Sequence, residues 1–109
     1  MINEAINAVA QITDVTVEQL LSKSRVQHIC EARHITAYVL RALLGYSTNA
    51  VGKLLNRNHA SVIRSSRMCQ DWLDDERINP RGSHIIKQLI EELKKGADIP
   101  FTNRNKNDK

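Results

Sequence analysis

The wholly polar run Asn56-Arg57-Asn58 sits between two apolar pairs, Leu54-Leu55 and Val62-Ile63. This interruption constrains the chain more than any other feature. It reads as a tight turn joining a short helix to a second one. Asn58 suits the N-cap of that second helix, because its side-chain oxygen can accept from a backbone N–H in the following turn. His59, Ala60 and Ser61 then form an exposed first turn with short or polar side chains, flanked by Arg57, Arg64 and Arg67. Such a turn suits a helix N-terminus that enters a DNA groove.

The rest of the chain reads as support for that presentation. Ile2, Ile6 and Val9 fall at helical spacing and predict a helix from 2 to about 12. Thr16-Val17-Glu18-Gln19 has the form of a capping box and opens a short helix burying Val17, Leu20 and Leu21. Residues 22–28 are polar, basic and without periodicity, as in a loop. Ile29, Ala32, Thr36, Val39, Leu40 and Leu43 form the stripe of a long central helix from Ile29 to Leu44, with Gly45 as its left-handed stop. Ser47 or Thr48 caps a helix ending at Leu55, which buries Val51 and Leu54. Gly52 inside it implies close approach of a neighbouring helix, since glycine there costs about 1 kcal/mol relative to alanine. The second helix of the motif runs to about Leu73, with Val62, Ser65, Ser66, Cys69 and Trp72 near one face. Residues 74–82 read as a loop. Ser83 caps a last helix with Ile86, Leu89, Ile90 and Leu93 inward. The expectation is an all-α domain over residues 1–96, with about six helices around a long central one. A disordered basic and polar tail is expected over 97–109.

Charge is segregated along the chain. Residues 23–70 hold eight basic residues against the single acid Glu31, a net of +7, within a chain whose total is +4. Residues 71–76 hold four acids and no base. A basic stripe of this kind points to an anionic partner. Cys30 and Cys69 lie far apart, as buried thiols in a reducing compartment do, and with four scattered histidines they offer no zinc-ligand spacing. No catalytic triad or carboxylate pair emerges, no membrane span and no secretory signal. The expected protein is cytoplasmic, is not an enzyme, and carries no cofactor or metal.

Three stretches resemble the C-terminal DNA-binding domain of the bacterial replication initiator DnaA. Leu20-Leu21-Ser22-Lys23-Ser24-Arg25 is similar to that family's Leu-Leu-Ser-Lys and basic loop. The run from Glu31 to Leu40 is similar to its Ala-Arg-Gln-Ile-Ala-Met-Tyr-Leu helix. Val51-Gly52-Lys53-Leu54-Leu55-Asn56-Arg57-Asn58-His59-Ala60-Ser61-Val62 resembles its signature Ile-Gly-x-x-Phe-Gly-Arg-Asp-His-Ser/Thr-Thr-Val. The resemblance implies a Trp-repressor-like helical domain with a helix-turn-helix that binds a short duplex site. By position it puts base reading on Asn58, His59, Ala60 and Ser61. It puts phosphate contact on Arg33 and His34. The family's minor-groove arginine falls on Gln27 in an ungapped alignment, with Arg25 as the nearby substitute. Lys23, Thr48, Lys53, Arg57, Arg64 and Arg67 complete the expected phosphate-facing set.

Departures from the family fall at its base-reading positions. Asn58 replaces an acid, and asparagine favours adenine where an acid favours cytosine. Ala60 replaces a hydroxyl and offers only a methyl. Gln27 removes a charge suited to a narrow minor groove. The chain also lacks a G-x-x-x-x-G-K-[ST] stretch to cradle nucleotide phosphates. The expectation is therefore a sequence-preferring double-stranded DNA-binding protein acting in replication or transcription without ATPase activity, with replication or transcription proteins as further partners. The alternative is a protein-interaction module that keeps the fold and has lost specific DNA binding.

Overall fold

A computed structural model of the chain describes residues 2–96. The expected disordered tail lies outside them. Six α-helices follow in order: α1 (Ile2–Thr13), α2 (Val17–Leu21), α3 (Gln27–Tyr38), α4 (Thr48–Leu55), α5 (His59–Asp74) and α6 (Pro80–Gly96). A π-helical turn, Val39–Leu43, continues α3. Among the described residues there is no strand, and the all-α expectation holds.

Helix α3 is the centre. All six residues of its predicted stripe are buried, and so are Ile35, Ala37 and Tyr38. The helix is enclosed rather than one-faced, because α1, α2, α5 and α6 all pack against it, α5 most extensively. The predicted run to Leu44 loosens at its end instead of continuing as α-helix. The Leu44 N–H donates to the Val39 carbonyl at 3.0 Å and the Tyr46 N–H to that of Leu40 at 2.9 Å, which widens the last turn. Gly45 takes the expected left-handed conformation, with φ of 79°.

The local signals set most of the ends. Thr16 and Gln19 form both bonds of the capping box, at 3.0 and 2.9 Å. Helix α2 buries Leu20 completely; Val17 and Leu21 are only half-buried. Ser47 caps α4 by accepting from the Ala50 N–H at 3.0 Å. In α4, Val51 and Leu55 are buried while Leu54 is half-buried.

Two glycines do different work from the one expected. A Cβ on Gly52 would lie 2.8 Å from the Arg57 carbonyl oxygen. The tightest neighbour is the backbone of the turn, with Val62 of α5 next at 3.7 Å. Gly82 belongs to α6, not to the preceding loop. Pro80 sits in the first turn, where its missing N–H costs nothing, and the Asn79 side chain accepts from the Gly82 N–H at 3.0 Å. A Cβ on Gly82 would meet the Trp72 ring at 2.7 Å, so glycine permits the α5–α6 contact there. Ser83, expected as the cap, is instead buried inside α6, and its hydroxyl has no partner among the described residues. Cys69 is buried and its thiol pKa is pushed up by burial, whereas Cys30 is only half-buried.

Candidate nucleic-acid interface

The turn between α4 and α5 is built by two asparagines. Asn56 ends α4 in the left-handed region, φ 55° and ψ 49°, which a short polar side chain tolerates better than most. Asn58 is the N-cap of α5, as expected, and its Oδ1 accepts from the Ser61 N–H at 2.8 Å. One lone pair of that oxygen is therefore committed to the helix, and the side-chain amide is left to donate outward. His59 and Ala60 are exposed on the first turn, and Ser61 is half-buried.

A cleft of about 460 Å³ brings the basic loop against this turn. Lys23 and Arg25 line it from the loop, Arg33 and His34 from α3, Arg57 from the turn, and Asn58, Ser61 and Arg64 from α5. Two shallower hollows continue the surface. Thr48, Lys53 and His59 line one, and His59, Ala60, Arg64 and Arg67 line the other. Thirteen of the fourteen expected contact residues thus line one cleft and its two neighbours. Gln27 does not. It is exposed in the first turn of α3 and lines a separate depression with Val26, His28, Glu31, Asn79 and Arg81. Of the two loop candidates, Arg25 is the one set beside the recognition turn.

Arg33 requires a correction. The resemblance puts phosphate contact on Arg33, yet the residue is only 7% exposed. Its Nε donates to the Leu20 carbonyl at 2.9 Å, Nη1 to that of Ser24 at 3.1 Å, and Nη2 to that of Gln19 at 3.3 Å. The guanidinium thus supplies donors to the end of α2 and to the loop after it, where the Gln19 carbonyl also accepts from the Ser22 hydroxyl at 2.7 Å. Arg57 is half-buried and turned the same way. Its Nη2 donates to the Ser22 carbonyl at 3.1 Å and its Nη1 to that of Asn56 at 3.1 Å.

His34 faces the cleft with its Nδ1 2.7 Å from the Ser65 hydroxyl. Burial holds its pKa below the usual histidine value. The Arg33 charge adds to this, as do Arg57 and Arg64, while Glu31 opposes them. Ser65 is a contributor that the sequence does not reveal, since its partner lies 31 residues away on α3. Lys53, Arg64 and Arg67 are exposed. Among the described residues no group of His, Cys, Asp or Glu gathers as metal ligands, and no helix is long and apolar enough to cross a membrane.

Comparison with known proteins shows the family. The family described as "Bacterial dnaA protein helix-turn-helix" matches residues 2–68. The chromosomal replication initiator protein DnaA of Thermotoga maritima is 34% identical over 92 residues, covering 84% of this chain and 20% of that protein. DnaA of Pseudothermotoga lettingae is 30% identical over 87 residues, covering 80% and 18%. That of Porphyromonas gingivalis is 38% identical over 61 residues, covering 55% and 13%. The chain spans about a fifth or less of the length of these relatives. With its six helices, its asparagine-capped turn and a match over residues 2–68, this chain belongs to the bacterial DnaA helix-turn-helix family.

Proposed function

We propose that the chain binds double-stranded DNA with a sequence preference. The first turn of α5 enters the major groove, and Arg25 on the basic loop reaches the adjacent minor groove. One observation carries the reading: Lys23 and Arg25 line the same cleft as Asn58, Ser61 and Arg64 of the recognition helix. A single docked duplex can then meet the loop and the helix together. His59 and Ala60, exposed beside the cap, are the first candidates for base contact.

Asn58 and Ala60 replace family residues at the reading positions, so the preferred site differs from the one the family binds. The domain contributes by occupying sites in replication or transcription control, not by nucleotide hydrolysis. Little favours a module that has lost DNA binding. Three of the four acids in residues 71–76 are engaged within the chain: Asp75 pairs with Arg77, Glu76 with Lys87, and Asp74 accepts from Gln70.

Selection of duplexes from a random pool tests the reading. An enriched site is expected. Five exposed cations (Lys23, Arg25, Lys53, Arg64 and Arg67) would give a slope of log K against log salt of about −4.5, at about 0.9 per contact. Absence of enrichment together with salt-independent binding would overturn it.

A further inference from the structure

Segment 19–24 carries the end of α2 and the start of the basic loop. Helix α2 has five residues, too few to hold its own conformation in water. Most hydrogen bonds of the loop are local. The Ser24 N–H donates to the Ser22 hydroxyl and the Val26 N–H to the Ser24 hydroxyl, both at 3.2 Å. A Cys30 thiol 3.6 Å from the Ser24 carbonyl adds a weak link to α3. The strong links to the rest of the molecule come from two guanidiniums. Arg33 reaches the carbonyls of Gln19, Leu20 and Ser24 from α3, and Arg57 reaches that of Ser22 from the turn. Four carbonyls within six residues are thus tied to the two elements that carry the recognition helix.

We infer that Arg33 and Arg57 are positioning residues, which fasten the basic loop to the helix-turn-helix so that loop and recognition-helix contacts form as a unit. A planar guanidinium can span carbonyls set around its rim; a lysine ammonium keeps the charge and loses the span. The clamp explains why two arginines of the basic stretch face inward, where a phosphate meets them least easily. This inference rests on the duplex-DNA reading above for its consequence, though not for its geometry.

Arg33→Lys and Arg57→Lys in the full chain test it, with two readouts. The first is amide hydrogen exchange of the free protein. Loop amides at 22–26 are expected to exchange about tenfold faster or more, the signature of local opening, while core amides of α5 keep their protection. The second is a double-mutant cycle with Arg25→Ala on a duplex recovered by selection. Arg25→Ala is expected to weaken binding about tenfold in the wild-type background and less than about twofold beside Arg33→Lys, because an unfastened loop has already lost that contact. Unchanged loop exchange with wild-type affinity in both lysine variants would overturn the inference and make the arginines simple positive charges. An equal cost of Arg25→Ala in both backgrounds would overturn the coupling. If the wild-type chain binds no duplex at all, the DNA reading fails, and the exchange readout alone then upholds or overturns the fastening.

Discussion

Arg33 and Arg57 look like Arg64 and Arg67 when only charge is counted, yet the structure treats the two pairs oppositely. Arg64 and Arg67 are exposed on α5. Arg33 is buried and gives its donors to three backbone carbonyls, and Arg57 is half-buried and bonded to the loop. A guanidinium placed in this way supplies donors to the end of a short helix and to the loop that follows it. The net charge of residues 23–70 therefore overstates the cations available to a polyanion. Part of the basic stretch builds the surface, and part of it is left exposed on that surface.

Stability should separate the pairs most strongly. Arg33→Ala takes the donor from the buried Leu20 carbonyl and leaves that of Ser24 with only the weak Cys30 thiol, and is expected to cost about 2 kcal/mol or more. Arg64→Ala should stay within about 0.5 kcal/mol. Urea denaturation of both variants decides this, and a mild Arg33→Ala would contradict the interior placement. Gly52→Ala probes the turn between the pairs. Helix propensity alone would gain about 1 kcal/mol. The 2.8 Å approach of a Cβ to the Arg57 carbonyl is expected to reverse that sign, to a loss of about 1–3 kcal/mol. A raised Tm would show that the turn yields freely. On the outward side, His59→Ala should leave stability unchanged and relax base preference by about 1–3 kcal/mol, read by repeating the duplex selection.

The smallest effect is a pH dependence of the inward side. His34 has a folded-state pKa below its ordinary value of 6.5, through burial and then the Arg33 charge. The unfolded chain therefore takes up a proton first as pH falls. Stability from this group is complete above 6.5 and is lost as pH falls from 6.5 through the folded value. Thermal melts at pH 7.5 and 5.5 should show a larger drop for the wild type than for His34→Gln. An equal drop would place the titration elsewhere.

The sequence discloses those features whose cause is local. The capping box at Thr16, the Asn58 cap, the stripe of α3 and the left-handed Gly45 each depend on residues a few positions apart. What it hides depends on distance. Arg33 carries a charge that suggests exposure, and its partners are carbonyls of α2 and the basic loop, 9 to 14 positions earlier. His34 meets Ser65 across two helices. Gln27 aligns with a loop residue, yet α3 begins two residues earlier than its apolar periodicity, and Gln27 lines a depression apart from the cleft. Asn79-Pro80 is a good helix start, and Gly82 masks it because its reason for being glycine is the Trp72 ring.

The division of the basic stretch is tested most directly by the same conservative change at four places. Arg33→Lys, Arg57→Lys, Arg64→Lys and Arg67→Lys all keep the charge, and their affinities for one selected duplex can be compared at fixed salt. Lysine serves as a phosphate ligand but not as a carbonyl-spanning fork. The first two variants are expected to bind about tenfold more weakly, and the last two within about threefold of wild type. Four equal affinities would contradict the division and return Arg33 and Arg57 to the phosphate-facing set.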